Sequence, residues 1–173
     1  MLEVAIRRAA PPDAAELARL GARTFVDAFG ADNRPEDLEA HLASSYGVRQ
    51  QAEELANPDM VTLVAEHDGE LVAFAQVRRG PAPACVAGES PLELWRFYVD
   101  RSWHGRGIAQ RLMAASLDAA WELDGRTLWL SVWERNPRAI AFYTKTGFRN
   151  AGTKDFWVGS DQQTDFVLVT DLQ

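Results

Sequence analysis

The spacing of apolar residues changes several times along this 173-residue chain, and each change marks an element. LEVAIRRA (2–9) reads as a first strand. Leu17, Leu20, Thr24, Phe25 and Ala28 then recur at helical spacing. Pro11 suits the first helical position, and Asp13 the positive end of the helix dipole. RPEDLEAHLASSYG and VRQQAEELANP predict one or two further short helices. VTLVAEHDGELVAFAQVRR predicts two strands about Asp68-Gly69, a dipeptide suited to a tight hairpin turn. GPAPACVAGESP (80–91) is a loop by its Gly and Pro content, and LELWRFYVD (92–100) a strand. GIAQRLMAASLDAAWELDG predicts a helix ending at Gly125, with Ala109, Leu112, Met113, Ser116, Ala120 and Leu123 on one face.

TLWLSVW (127–133) is a strand with Leu128, Leu130 and Val132 pointing one way and Trp129 and Trp133 the other. Apolar side chains on both faces imply a sheet covered on both sides. NPRAIAFYTKTGF is a short helix, with Asn136 as N-cap, Pro137 in its first turn and Gly147 as a left-handed stop. Two last strands, 148–158 and 164–171, join around GSDQQ. The order β-α-α-β-β-β-α-β-α-β-β predicts an α/β fold in a single domain over 1–173.

Composition narrows the function. A net charge of −7 argues against nucleic acid as a partner and suits a cationic small substrate. The single cysteine, Cys85, excludes an internal disulfide and a cysteine zinc cage, and no His/Asp/Glu cluster has metal-ligand spacing, so no metal is expected. No apolar run approaches the ~20 residues that span a bilayer. The expected location is cytoplasmic, with no membrane partner; a homodimer is left open.

The stretch YVDRSWHGRGIAQRLM places a strand, a short basic glycine loop and a helix in succession. Helix N-terminal N–H groups and the helix dipole receive anions in that arrangement. Gly105 and Gly107 permit close backbone approach, and Arg101, Arg106 and Arg111 add positive charge. A plain strand–helix connection would need only one glycine. The loop is neither a Walker loop, lacking a following Lys-Ser or Lys-Thr, nor a dinucleotide fingerprint, lacking the third glycine.

HGRGIA (104–109) resembles the pyrophosphate loop of the GCN5-related N-acetyltransferase superfamily, Gln/Arg-x-x-Gly-x-Gly/Ala, with Gly107 and Ala109 at the small positions. His104 stands where Gln or Arg is usual, which leaves a backbone cradle intact and its own role open. NPRAIAFYTKTGF (136–148) matches the second block, Asn-x-x-Ala-x-x-Phe-Tyr-x-x-x-Gly-Phe. The resemblance implies acetyl-CoA as cosubstrate, a mixed, splayed central sheet with helices on both faces, and transfer of acetyl to a primary amine. LWLSVWERNPRAIAFYTKTGF with GSDQQTDFVLV is similar to the bacterial spermidine/spermine N-acetyltransferase branch, which implies a polyamine acceptor. A protein N-terminus or lysine, an amino acid or an antibiotic amine is the alternative. A CoA-binding sensor without turnover is the alternative of another class.

By resemblance the cofactor contacts are Phe97, Tyr98, Val99, His104, Gly105, Arg106, Gly107, Ile108, Ala109, Gln110, Asn136, Tyr143 and Lys145. Backbone N–H groups of Phe97-Tyr98-Val99 would meet the thioester carbonyl, freed by a splayed or bulged strand. Tyr143 is the candidate acid for the departing thiolate, against the plainer role of a core aromatic. Lys145 could equally be a solvated helix lysine. Glu93, near the start of its strand, is the candidate base or water-holding carboxylate, with Glu134 second. His41 and His67 read as peripheral, Cys85 lacks a base partner, and Trp95, Trp103, Trp129 and Trp133 read as core or rim aromatics.

Overall fold

The computed structural model describes residues 3–173. Seven strands form one mixed sheet, β1 (Ala5–Arg8), β2 (Met60–His67), β3 (Glu70–Arg79), β4 (Pro91–Val99), β5 (Thr127–Trp133), β6 (Arg149–Val158) and β7 (Asp161–Asp171), ordered β1-β2-β3-β4-β5-β7-β6. The helices are α1 (Ala14–Phe29), α2 (Pro35–Ser45), α3 (Val48–Ala56), α4 (Ile108–Glu122) and α5 (Pro137–Lys145). Both faces are covered, as the apolar alternation of β5 requires. Leu128, Leu130 and Val132 join the core under α4 and α5, while Trp133 joins Leu17, Leu20, Phe25 and Phe74 on the α1 side. The expected first strand is shorter than 2–9, and Leu2 lies outside the described residues.

Local chemistry accounts for the elements that match expectation. Asp68 and Gly69 turn the β2–β3 hairpin with φ of 48° and 83°. Asn136 Oδ1 accepts from Ala139 N at 3.2 Å, with Pro137 opening α5. Two expectations need correction. Three helices separate β1 from β2, the larger of the two numbers the segments allow and one more than the element order draws. α2 stops at Ser45 because that residue's carbonyl is taken by Gln51 Nε2 at 3.0 Å and Arg96 Nη2 at 3.4 Å, while Tyr46 turns into the core. The β6–β7 connection is a turn at Gly159-Ser160 rather than a loop through Gln163. Gly159 takes φ of 58°, and Ser160 N donates to the buried Asp37 Oδ1 at 2.9 Å.

β4 shapes everything around it. It pairs with β5 in parallel only through Pro91–Glu93, opposite Thr127–Trp129, and the strands then part. On its other side, Gln76 opposes Arg96 and Val77 opposes Leu94, so Trp95 is an extra, bulged residue. The Trp95 ring lies between the guanidinium groups of Arg78 and Arg96, each 3.6 Å from its centroid. Arg96 is buried and donates to Glu54 Oε2 and Gln76 Oε1, both at 2.7 Å. This ties the bulge to α3 and to β3. Replacing Arg96 with Met strands Glu54 as a buried, unpaired carboxylate. Urea unfolding should show a loss of about 3–5 kcal/mol, the range for breaking a buried pair from one side.

Candidate active site

Where β4 and β5 part, a cleft of about 730 Å³ runs through the sheet. Asp100 N donates to Val72 O at 2.8 Å, which sets the phase of the β3–β4 ladder. By the two-residue alternation, the N–H groups of Arg96 and Tyr98 point to β3, and those of Phe97 and Val99 point into the gap. Of the three donors expected, two therefore face the cleft, and Tyr98 N–H does not. The Tyr98 ring stacks on Phe74 at 5.7 Å, and burial pushes its phenol well above the ordinary range.

Phe97 also positions Tyr143. Its ring lies 6.1 Å from Tyr143 and 5.7 Å from Phe142, so α5 closes over the gap from the α4 side of the sheet. Phe148 packs edge-on to the Tyr143 ring at 5.8 Å. Tyr143 lines the cleft, and its hydroxyl has no hydrogen-bond partner among the described residues. Burial alone raises its pKa far above that of a free phenol, so it holds its proton at neutral pH.

The glycine loop lies at one end of the cleft. Gly105 and Gly107 take φ of 75° and 78°, left-handed values that disfavour any side chain. Gly107 is the N-cap of α4, and no side chain caps that helix, so its first-turn N–H groups remain available. A Cβ at either glycine would meet nothing within 4 Å, so the space in front of the loop is open. These are the features of an anion cradle, and the residues fit a diphosphate. His104, Ile108, Ala109 and Gln110 line the cleft with them. His104 Nε2 lies 2.9 Å from Val99 O, so the tautomer protonated there donates and ties the loop to the end of β4. Arg106 lies over Trp103 at 4.8 Å and is not a lining residue, and Arg111 turns away to donate to Val4 O at 2.8 Å.

Asn136 lines the cleft, whereas Lys145 is exposed in the last turn of α5 and does not. Glu134 is exposed and also outside the lining. Glu93 is inside, buried, and accepts from Arg78 Nε at 2.6 Å. His41, read as peripheral, in fact lines the cleft. It stacks on Phe25 at 4.3 Å, and burial, assisted by the charge of Arg96, pushes its pKa down. A polar helix surface in the sequence becomes an inner wall because α2 folds back over β6.

Sequence reasoning missed Asp165. It is 4% exposed, opposite Trp133 on β5 and Lys154 on β6, and lines the cleft. Its Oδ1 is sealed from solvent with no partner among the described residues. Desolvation pushes its pKa up to about 6, against the opposing pull of the Ser131 hydroxyl and the Lys154 ammonium. The readable signal was an acid on the strand face of Val167 and Val169, both buried.

Comparison with known proteins shows the family and the fold. The acetyltransferase (GNAT) family model matches residues 25–148. An uncharacterized N-acetyltransferase of Mycobacterium tuberculosis is 35% identical over 92% of this chain and 98% of its own length. The spermine/spermidine N(1)-acetyltransferase of Bacillus subtilis is 30% identical, over 52% of this chain and 60% of its own. The crystal structure of PaiA N-acetyltransferase from Thermoplasma acidophilum in complex with coenzyme A superposes with a TM-score of 0.78 at 19% identity, covering 98% of this chain and 99% of that one.

Asp165 also carries a stability prediction. Its folded pKa, about 6, exceeds the ordinary 3.8, so the folded state holds this proton more tightly. The group favours folding most below pH ~4, and that contribution is lost as pH rises through about 6. Asp165→Asn, which keeps a neutral side chain of similar size, should be more stable than wild type at pH 8 by about 1–3 kcal/mol. The gap should narrow as pH falls, and thermal melts across pH 4–8 check it.

Proposed function

The chain belongs to the acetyltransferase (GNAT) family, and we propose that it moves the acetyl group of acetyl-CoA directly onto a primary amine held between Tyr143 and Asp165. The observation that carries this is the gap itself. Two backbone donors, an unpartnered phenol and a desolvated carboxylate all meet in one cleft, with an open glycine loop at its end.

Acetyl-CoA, when bound, supplies the thioester carbonyl and the thiolate leaving group. Gly105, Gly107 and the first turn of α4 would hold its diphosphate. The N–H groups of Phe97 and Val99 would donate to the carbonyl oxygen as it gains charge. Asp165 would take the ammonium proton of the acceptor and release it to solvent. A free primary amine resembles lysine, with a pKa of ~10.4, so at pH 7 the neutral form costs about 4.6 kcal/mol. A carboxylate poised near neutrality suits that task. Tyr143 would protonate the departing sulfur and recover a proton from the attacking nitrogen as the C–N bond forms. Glu93 was the sequence candidate for the base. Its ion pair with Arg78 supports a different role, fixing that guanidinium against Trp95.

For the acceptor, a polyamine draws support from the net charge of −7 and from the partial similarity to the spermine/spermidine enzyme. Within the cleft, support for a polycation narrows to Asp165 and Asp27, since Glu93 is already paired and Glu134 lies outside.

The test is acetyl-CoA consumption across a panel of amines. Tyr143→Phe should keep CoA affinity while the turnover number falls by ~10²-fold or more, if chemistry limits the rate. Full turnover in that variant would remove Tyr143 as the acid. With wild type, log kcat/KM should rise with pH through an apparent pKa near 6, as Asp165 loses its proton. That limb should be absent from whatever activity remains in Asp165→Asn. Gly107→Ala, forced into a left-handed conformation, should lose CoA affinity in calorimetry and about 1–2 kcal/mol of stability.

A further inference from the structure

Beside the main cleft lies a second cavity of about 350 Å³. The two share Arg78, Glu93 and Lys154, so they adjoin. Arg78 uses Nε on Glu93 and has no partner for its two terminal nitrogens among the described residues. Lys154 makes no ion pair among the described residues, and its Nζ lies 5.6 Å from the centre of the Trp129 ring. Arg79 also walls the cavity but is turned to Asp59 and to the carbonyl of Leu123. The buried indole N–H of Trp129, another wall residue, has no hydrogen-bond partner among the described residues. A chain of net charge −7 thus keeps, beside its cleft, a lysine with no ion pair among the described residues and an arginine whose charge is balanced by Glu93 but whose two terminal nitrogens are free.

We propose that this cavity is an anion subsite, and that the acceptor is a primary amine carrying a carboxylate or similar oxyanion, its nitrogen at Asp165 and its anionic group on Lys154 and Arg78. The proposal rests on the transfer reading above. Lys154 and Asp165 are directly opposed on β6 and β7, Lys154 lines both cavities and Asp165 the main cleft, so one small molecule carrying an amine and a carboxylate can address both. Arg78, with its terminal nitrogens free, can add the planar donor pair that carboxylates favour. The Lys154 ammonium disfavours a second positive charge beside it, so it shifts the acceptor nitrogen toward its neutral, reactive form and works against a polycation.

Free amino acids, their C-terminal amides, dipeptides and spermidine, each at saturating acetyl-CoA, provide the test. At least one amino acid or dipeptide should exceed its own amide by tenfold or more in kcat/KM. Lys154→Gln should reduce that ratio at least threefold, mainly through KM, with CoA affinity unchanged. Whether amino acids or dipeptides lead identifies the source of the carboxylate. Amides or spermidine turned over as well as the acids, or a ratio unmoved in Lys154→Gln, would overturn the subsite and leave acetyl transfer standing. Should no amine be acetylated, titration of the CoA-saturated protein with inorganic phosphate decides. Binding weakened at least fivefold in Lys154→Gln supports the subsite while the transfer reading fails. No binding, or equal binding as an adventitious ion only, overturns it.

Discussion

Strand pairing between β4 and β5 is abandoned after Glu93, and the function proposed for this chain depends on that interruption. A sheet interior normally satisfies its backbone donors, and leaving one unmet costs about 1–3 kcal/mol. Here the N–H groups of Phe97 and Val99 are left facing a cleft. The structure holds the strands apart by occupying both sides. Arg96, through Glu54 and Gln76, fixes the bulge of β4 to the α3 side, while the Phe97–Phe142–Tyr143 contacts wedge α5 against the other. Neither anchor touches the backbone donors, which keeps them free for a ligand.

The electrostatics of the cleft follow from which charges are already committed. Arg96 is spent on Glu54, and Glu93 on Arg78 through one nitrogen only. Asp165 and Lys154 face each other across two strands without an ion pair. Net charge over the chain is therefore a poor guide to the charge an acceptor would meet. The acidic residues are largely elsewhere, and the cleft carries both signs at short range.

Elements with local chemical punctuation were legible in the sequence. The Asp68-Gly69 turn, the Asn136 cap and the run from Thr127 to Trp133 all lie where residue spacing puts them. The glycine loop was legible for the same reason, since two glycines between strand and helix leave backbone groups uncovered. The break between α2 and α3 was legible only as a possibility, since the two segments part at Gly47 but their pattern allows one helix or two. The Ser45 carbonyl at the break is held by Gln51, six residues on, and by Arg96, some fifty residues away. The tight β6–β7 turn depends on Asp37, again from a distant element. His41 and Asp165 were missed on the same principle. Each looks ordinary on its own helix or strand, and only long-range packing removes it from water.

The cleft reaches both faces of the sheet, lined by Phe25, His41 and Tyr46 on one side and by Ile108, Phe142 and Tyr143 on the other. The sheet is thus pierced rather than grooved. Two reactants can arrive from opposite faces and meet edge-on at its centre, each without obstructing the other's route. On the transfer reading proposed above, such a passage would make a covalent way-station on the protein unnecessary, because neither reactant would have to depart before the second could enter. On the same reading it would give the two products separate exits, so that the release of one need not wait for the release of the other.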